Sequence, residues 1–185
     1  MIIEICSQAM AKKLAEEAQE KTSLVSITST EEENIVFPSK PQIASIIHLK
    51  LNDLTTEYDE EGFPYGRALP KPADYAGLNE FAAGLCCERL IVHCWEGTSR
   101  SAAVATAIYE FRGCRDVLRT AQHFSPNPLV YRLACRELGI RPGELRYSVF
   151  PEGDRFRLGK DPLYVASDRP GERSLFSPTG PDRGE

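Results

Sequence analysis

Histidine is scarce in this chain, with 3 among 185 residues, and the 6 cysteines include no Cys-x-x-Cys pair. Zinc sites gather closely spaced Cys and His ligands, so neither a metal centre nor a cofactor site is expected. No apolar run is long enough to cross a bilayer, and no basic stretch leads into an apolar core near residue 1. No membrane partner is expected, and the expected compartment is the cytoplasm. An excess of basic charge is missing too. The net charge is −5, which argues against nucleic acid as a partner. What remains is ordinary for a globular protein: 42% hydrophobic and 26% charged residues, in a length that suits one domain with a sizeable core.

The most informative stretch is Leu90-Ile91-Val92-His93-Cys94-Trp95-Glu96-Gly97-Thr98-Ser99-Arg100-Ser101. Leu90, Ile91 and Val92 form a short apolar run rich in β-branching, as expected of a buried strand. The alanine-rich segment from Ser101 reads as a helix stopped by Gly113. A strand-to-helix loop of this kind turns successive backbone N–H groups inward and makes an anion cradle. Gly97 supplies a backbone conformation that a Cβ resists. Arg100 adds a planar fork matched to two phosphate oxygens. Cys94 sits at the mouth of the cradle, where the loop amides, the helix N-terminus and Arg100 all favour a thiolate. The bland alternative, a buried inert cysteine beside a surface arginine, does not account for the spacing of the whole string.

The remaining chain reads as alternating strands and helices. Residues 1–6 form a first strand, residues 8–21 a helix capped by Ser7, and residues 23–28 a second strand. This is a βαβ unit with a parallel sheet. Residues 30–34 read as a solvated acidic loop, and the apolar piece 35–37 has no evident place. Residues 44–51 form a third strand, with His48 a packed or edge histidine, and run into Asn52-Asp53-Leu54. Residues 55–72 hold two Gly, three Pro and four acids, so they form a loop, in which Tyr58, Phe63 and Tyr65 line a cleft or tether the segment. Residues 74–87, 116–123 and 128–138 read as helices. The expected fold class is α/β: a central, mostly parallel sheet of about four to five strands flanked by helices. Residues 1–141 form the domain. Residues 142–185, with six Pro and six Gly, form an extension with at most one strand, near 163–166, and no assigned chemistry.

The string His93-Cys94-x-x-Gly97-x-x-Arg100-Ser101 resembles the signature of the protein tyrosine phosphatase superfamily. Its flanks resemble the dual-specificity phosphatases. A second match is independent: Ser125-Pro126-Asn127-Pro128-Leu129 resembles the Pro-Asn segment that follows the signature there. His-Cys-Trp-x-Gly-x-Ser-Arg-Ser with Pro-Asn-Pro-Leu is similar to a bacterial branch of predicted tyrosine phosphatases. The resemblance covers about residues 45–140. It implies the cysteine phosphatase fold and hydrolysis of phosphate monoesters through a phosphocysteine, with Cys94 as nucleophile. The phosphate would be held by Trp95, Glu96, Gly97, Thr98, Ser99 and Arg100. Ser101 would ease departure of the sulfur, His93 would brace the loop and Asn127 would support it. The general acid would be an aspartate after an upstream strand. Asp53 stands there, farther from Cys94 than the family spacing. Asp59, Glu60 and Glu61 match the linear spacing better but lie in the Pro-rich insertion. The possible disulfide partners of an oxidised Cys94 are Cys86 and Cys87, for which packing at a helix end is the competing reading.

Glu96 repels a polyanion, which disfavours phosphoinositides and RNA 5′-triphosphates. A phosphotyrosine-containing protein or a small phosphate monoester is the expected partner, with tyrosine-only and dual specificity both open and the oligomeric state not legible. The competing class is a catalytically weak phosphate- or phosphoprotein-binding module of the same fold. Arsenate reductases and rhodaneses are lesser alternatives, since the former place the loop near the N-terminus and the latter use a shorter one.

Overall fold

A computed structural model describes residues 1–54, 69–120, 124–143 and 145, and the backbone of 156–158. The expected α/β architecture is present. In chain order the elements are β1 (Ile2–Ser7), α1 (Gln8–Glu17), β2 (Thr22–Thr28), β3 (Ile43–Lys50), α2 (Leu78–Ala83), β4 (Arg89–Cys94), α3 (Arg100–Phe111), β5 (Val117–Thr120), α4 (Pro128–Glu137) and β6 (Phe156–Leu158). The sheet order is β3-β2-β4-β1-β5-β6. The first five strands run parallel, and β6 pairs antiparallel with β5.

β4 lies in the middle. Leu90, Ile91 and Val92 are wholly buried, as a strand covered on both faces requires. Alternation sorts the side chains. Ile3, Ile5, Val25, Ile27, Leu90, Val92 and Cys94 belong to the core under α3 and α4. Cys6, Leu24 and Ile91 pack with Ala11 and Ala15 of α1 and with Phe37. Phe37 thus gives the apolar piece at 35–37 its place. Ser7 caps α1, its hydroxyl accepting from Met10 N at 3.3 Å.

Several elements differ from the sequence reading. The βαβ unit is parallel, but β1 and β2 are not neighbours, because β4 inserts between them. α1 ends four residues early. Lys21 O accepts from Glu88 N and Arg89 N, so residues 18–21 must leave the helix to meet the start of β4. The helix expected over 74–87 is a 3-10 turn over Pro72–Tyr75 followed by the six-residue α2. Gly77 between them has φ +83°, a left-handed value that interrupts a helix. The helix expected over 116–123 is instead the strand β5, as far as Thr120. Two of its four residues are β-branched, and it pairs with β1 in register, which removes an open sheet edge that a helix would leave. Residues 121–123 and the strand expected near 163–166 lie outside the described residues, as do Tyr58, Phe63 and Tyr65.

α3 is the buried helix. Nine of its twelve residues are buried, among them Ala102, Ala103, Ala105 and Ala107. The alanines let it lie close to both the sheet and α4. A larger side chain there overpacks both contacts. Ala103→Leu is expected to cost about 1–3 kcal/mol, lowering the urea midpoint by on the order of 1 M.

Candidate active site

In a parallel sheet the C-terminal ends of the strands share one edge, where such folds place their sites. Ser29 follows β2, Leu51 and Asp53 follow β3, and the loop from Cys94 to Arg100 follows β4. These segments converge on a cavity of about 390 Å³, within the size range of small-molecule sites. Cys94 and Arg100 line its buried part, at 2% and 7% exposure. Ser29, Glu32 and Asp53 line it from one side, and Trp95, Glu96 and Thr98 from the loop itself.

The loop is shaped by contact with β1. Ser7 and Cys94 are register partners, and Gln8 N donates to Trp95 O at 3.2 Å. Gly97 has φ +82°, and a Cβ on it would lie 2.3 Å from the Cys6 carbonyl carbon and 2.5 Å from Ser7 N. Glycine is therefore required twice, for its backbone angle and for the missing atom. So turned, the Gly97 N–H donates to Cys94 Sγ at 3.3 Å. Ser101, in the first turn of α3, brings its Oγ to 3.2 Å from the same sulfur.

Arg100 is set in place before any ligand arrives. Its Nη1 donates to Leu51 O at 2.8 Å and to Ser29 Oγ at 3.1 Å. Asp53 Oδ2 lies 3.6 Å from Arg100 Nε, too far for a hydrogen bond, and that buried N–H has no acceptor among the described residues. Asp53 is held through its other oxygen, which accepts from Ser99 Oγ at 2.7 Å and from Asn127 Nδ2 at 2.8 Å. Asn127 does more than turn the chain between two prolines. Its Oδ1 accepts from Leu129 N and Val130 N and caps α4, its Nδ2 also reaches Leu54 O at 2.9 Å, and its backbone N donates to Ser99 O at 3.3 Å.

His93 is wholly buried on β4. It points to the α1 face, where its Nε2 hydrogen-bonds with Ser26 Oγ at 3.0 Å and its ring packs edge-on against Phe37 at 5.5 Å. It therefore ties β4 to β2. His48 is exposed on the edge strand. Cys86 and Cys87 precede β4, whereas Cys94 ends it. The strand's length, on the order of 17 Å, separates them beyond disulfide reach. Asp59, Glu60 and Glu61 lie outside the described residues. Ser29, Glu32 and the Leu51 carbonyl are site groups that the sequence reading missed, because it took residues 30–34 as a solvated loop. Their signal was positional: any connection leaving the C-terminal end of a parallel strand in this part of the sheet opens onto this edge.

The arrangement can hold an anion against Arg100 and the loop, with a sulfur nucleophile within reach. No group of Cys, His, Asp and Glu suited to a metal occurs among the described residues, and no described helix is long and apolar enough to cross a membrane. Comparison with family models, with curated proteins and with solved structures gives no match.

Burial pushes the His93 pKa down from 6.5 to about 4. The folded state thus resists protonation, so His93 favours folding fully above pH 6.5 and loses that contribution as pH falls towards 4. Over that window wild type should lose ~3 kcal/mol relative to His93→Asn. Urea unfolding of both proteins at pH 7, 5.5 and 4 measures the difference.

Proposed function

We propose that this chain is a cysteine-dependent protein tyrosine phosphatase that hydrolyses phosphate monoesters through a phosphocysteine. The observation that carries the reading is the meeting of Cys94, Gly97 N–H, Ser101 and a fixed Arg100 in one cavity at the end of β4. The independent resemblance of the two sequence segments supports it.

In this reading Cys94 Sγ attacks phosphorus in line, forming the S–P bond as the ester P–O bond breaks. Arg100 and the loop amides stabilise the equatorial oxygens as their charge changes. Asp53 acts as general acid. Its Oδ1 is committed to Ser99 and Asn127, so Oδ2 is the oxygen free to carry the proton to the departing alkoxide or phenoxide. In the second step Asp53 takes a proton from water, which attacks phosphorus and expels the Cys94 thiolate. The Ser101 hydroxyl donates to that sulfur as charge returns to it. The nucleophile must stay reduced. All six cysteines are free, which suits the reducing cytoplasm as the compartment.

Wild type should hydrolyse p-nitrophenyl phosphate in EDTA with reductant, and Cys94→Ser should abolish turnover. A wild type that is inactive yet binds vanadate would instead make this a phosphate-binding module. The identity of the acid is tested separately. Asp53→Asn should lower kcat for a phosphotyrosine peptide by about 10²–10⁴-fold. The loss should be smaller for p-nitrophenyl phosphate, whose leaving group needs less protonation. If Asp59→Asn produces this pattern and Asp53→Asn does not, the acid lies in the insertion.

A further inference from the structure

The cavity has an unusual charge balance for a site that takes a phosphate. Among its described lining residues Arg100 is the one cation, against three carboxylates, Glu32, Asp53 and Glu96. Asp53 faces Arg100, but Glu32 and Glu96 do not form an ion pair with any described residue. Glu32 is fixed at the cavity by reciprocal bonds: Ser29 N donates to its Oε2 at 2.8 Å, and its own N donates to Ser29 O at 3.1 Å. The nearby Lys50 ammonium is bonded to the Glu32 backbone carbonyl, not to its carboxylate. Glu96 is exposed on the loop beside Trp95, whose indole is 61% exposed at the cavity.

Two features therefore point to two parts of one ligand. The unsatisfied Nε–H of Arg100, on a side chain that is 7% exposed, calls for an anion in the buried part. Glu32 and Glu96, without an ion-pair partner among the described residues, and the exposed Trp95 outside it call for a cation, since a guanidinium or ammonium satisfies both carboxylate and aromatic ring. Resting on the phosphatase reading above, we infer that the substrate class is phosphotyrosine flanked by basic residues, and that Glu32 and Glu96 are the specificity-determining residues. A bound phosphate dianion adds to the negative charge at Glu32 and Glu96. A lysine or arginine on the peptide removes that repulsion, and an acidic flank increases it.

The test uses three substrates with the full chain: p-nitrophenyl phosphate, a phosphotyrosine peptide with lysines on both sides, and the same peptide with glutamates there. The lysine peptide should exceed the glutamate peptide by about tenfold or more in kcat/KM, chiefly through KM. The ratio should fall towards one in roughly 0.5 M salt. Glu32→Gln, which keeps an oxygen for Ser29 N, should narrow the ratio, and Glu32→Lys should reverse it. Equal kcat/KM for the two peptides, a preference for the acidic one, or a ratio unmoved by both Glu32 variants overturns the inference while leaving the phosphatase reading intact. Absence of Cys94-dependent hydrolysis of p-nitrophenyl phosphate removes that reading and the inference together.

Discussion

The site depends on one close approach, that of Gly97 to the backbone where β1 passes into α1. β1 and β4 pair in register up to Ser7 and Cys94, so both chains leave the sheet side by side. The loop after Cys94 must turn against its neighbour's backbone, with 2.3 Å between the place of a Gly97 Cβ and the Cys6 carbonyl carbon. That turn aims an N–H at the sulfur and sets where α3 begins. Arg100, its first residue, enters the cavity because the helix starts there. The alanines of α3 then let it settle between the sheet and α4.

A second layer of bonds converts this local turn into a rigid site. Arg100 is gripped by Ser29 and the Leu51 carbonyl, which follow β2 and β3. Asn127 joins α4, Ser99 and Asp53, so the cap of one helix also anchors a carboxylate on the cavity wall. Every site residue outside the central loop thus lies just past a strand end or at a helix cap. The bonds hold these side chains in place without a ligand, and preorganisation is what electrostatic binding of an anion requires.

Much of the central loop was legible because its chemistry is contiguous. Cys94, Gly97, Arg100 and Ser101 lie within eight consecutive residues, and local geometry brings them together. The strand and helix at its flanks followed from an apolar run and an alanine-rich one. β5 was read as a helix because four residues carry almost no period, and its pairing with β1 outweighed local preference. The helix over 74–87 failed for a different reason. Its apolar spacing was helical, but Gly77 takes a left-handed angle that periodicity does not register.

The sequence by itself determined the α/β class, the contiguous Cys94-to-Arg100 loop and the helix cap at Ser7, since each rests on residues close together in the chain. Tertiary structure alone decided that β4 separates β1 from β2, that His93 ties β4 to β2 through Ser26, and that Glu32 faces the same cavity as Glu96. Strand order brings residues 29–32, 51–53, 94–101 and 127 to one edge. The physical reason is that sheet neighbours are chosen by burial and edge pairing across the whole chain, and no local window of sequence contains that competition.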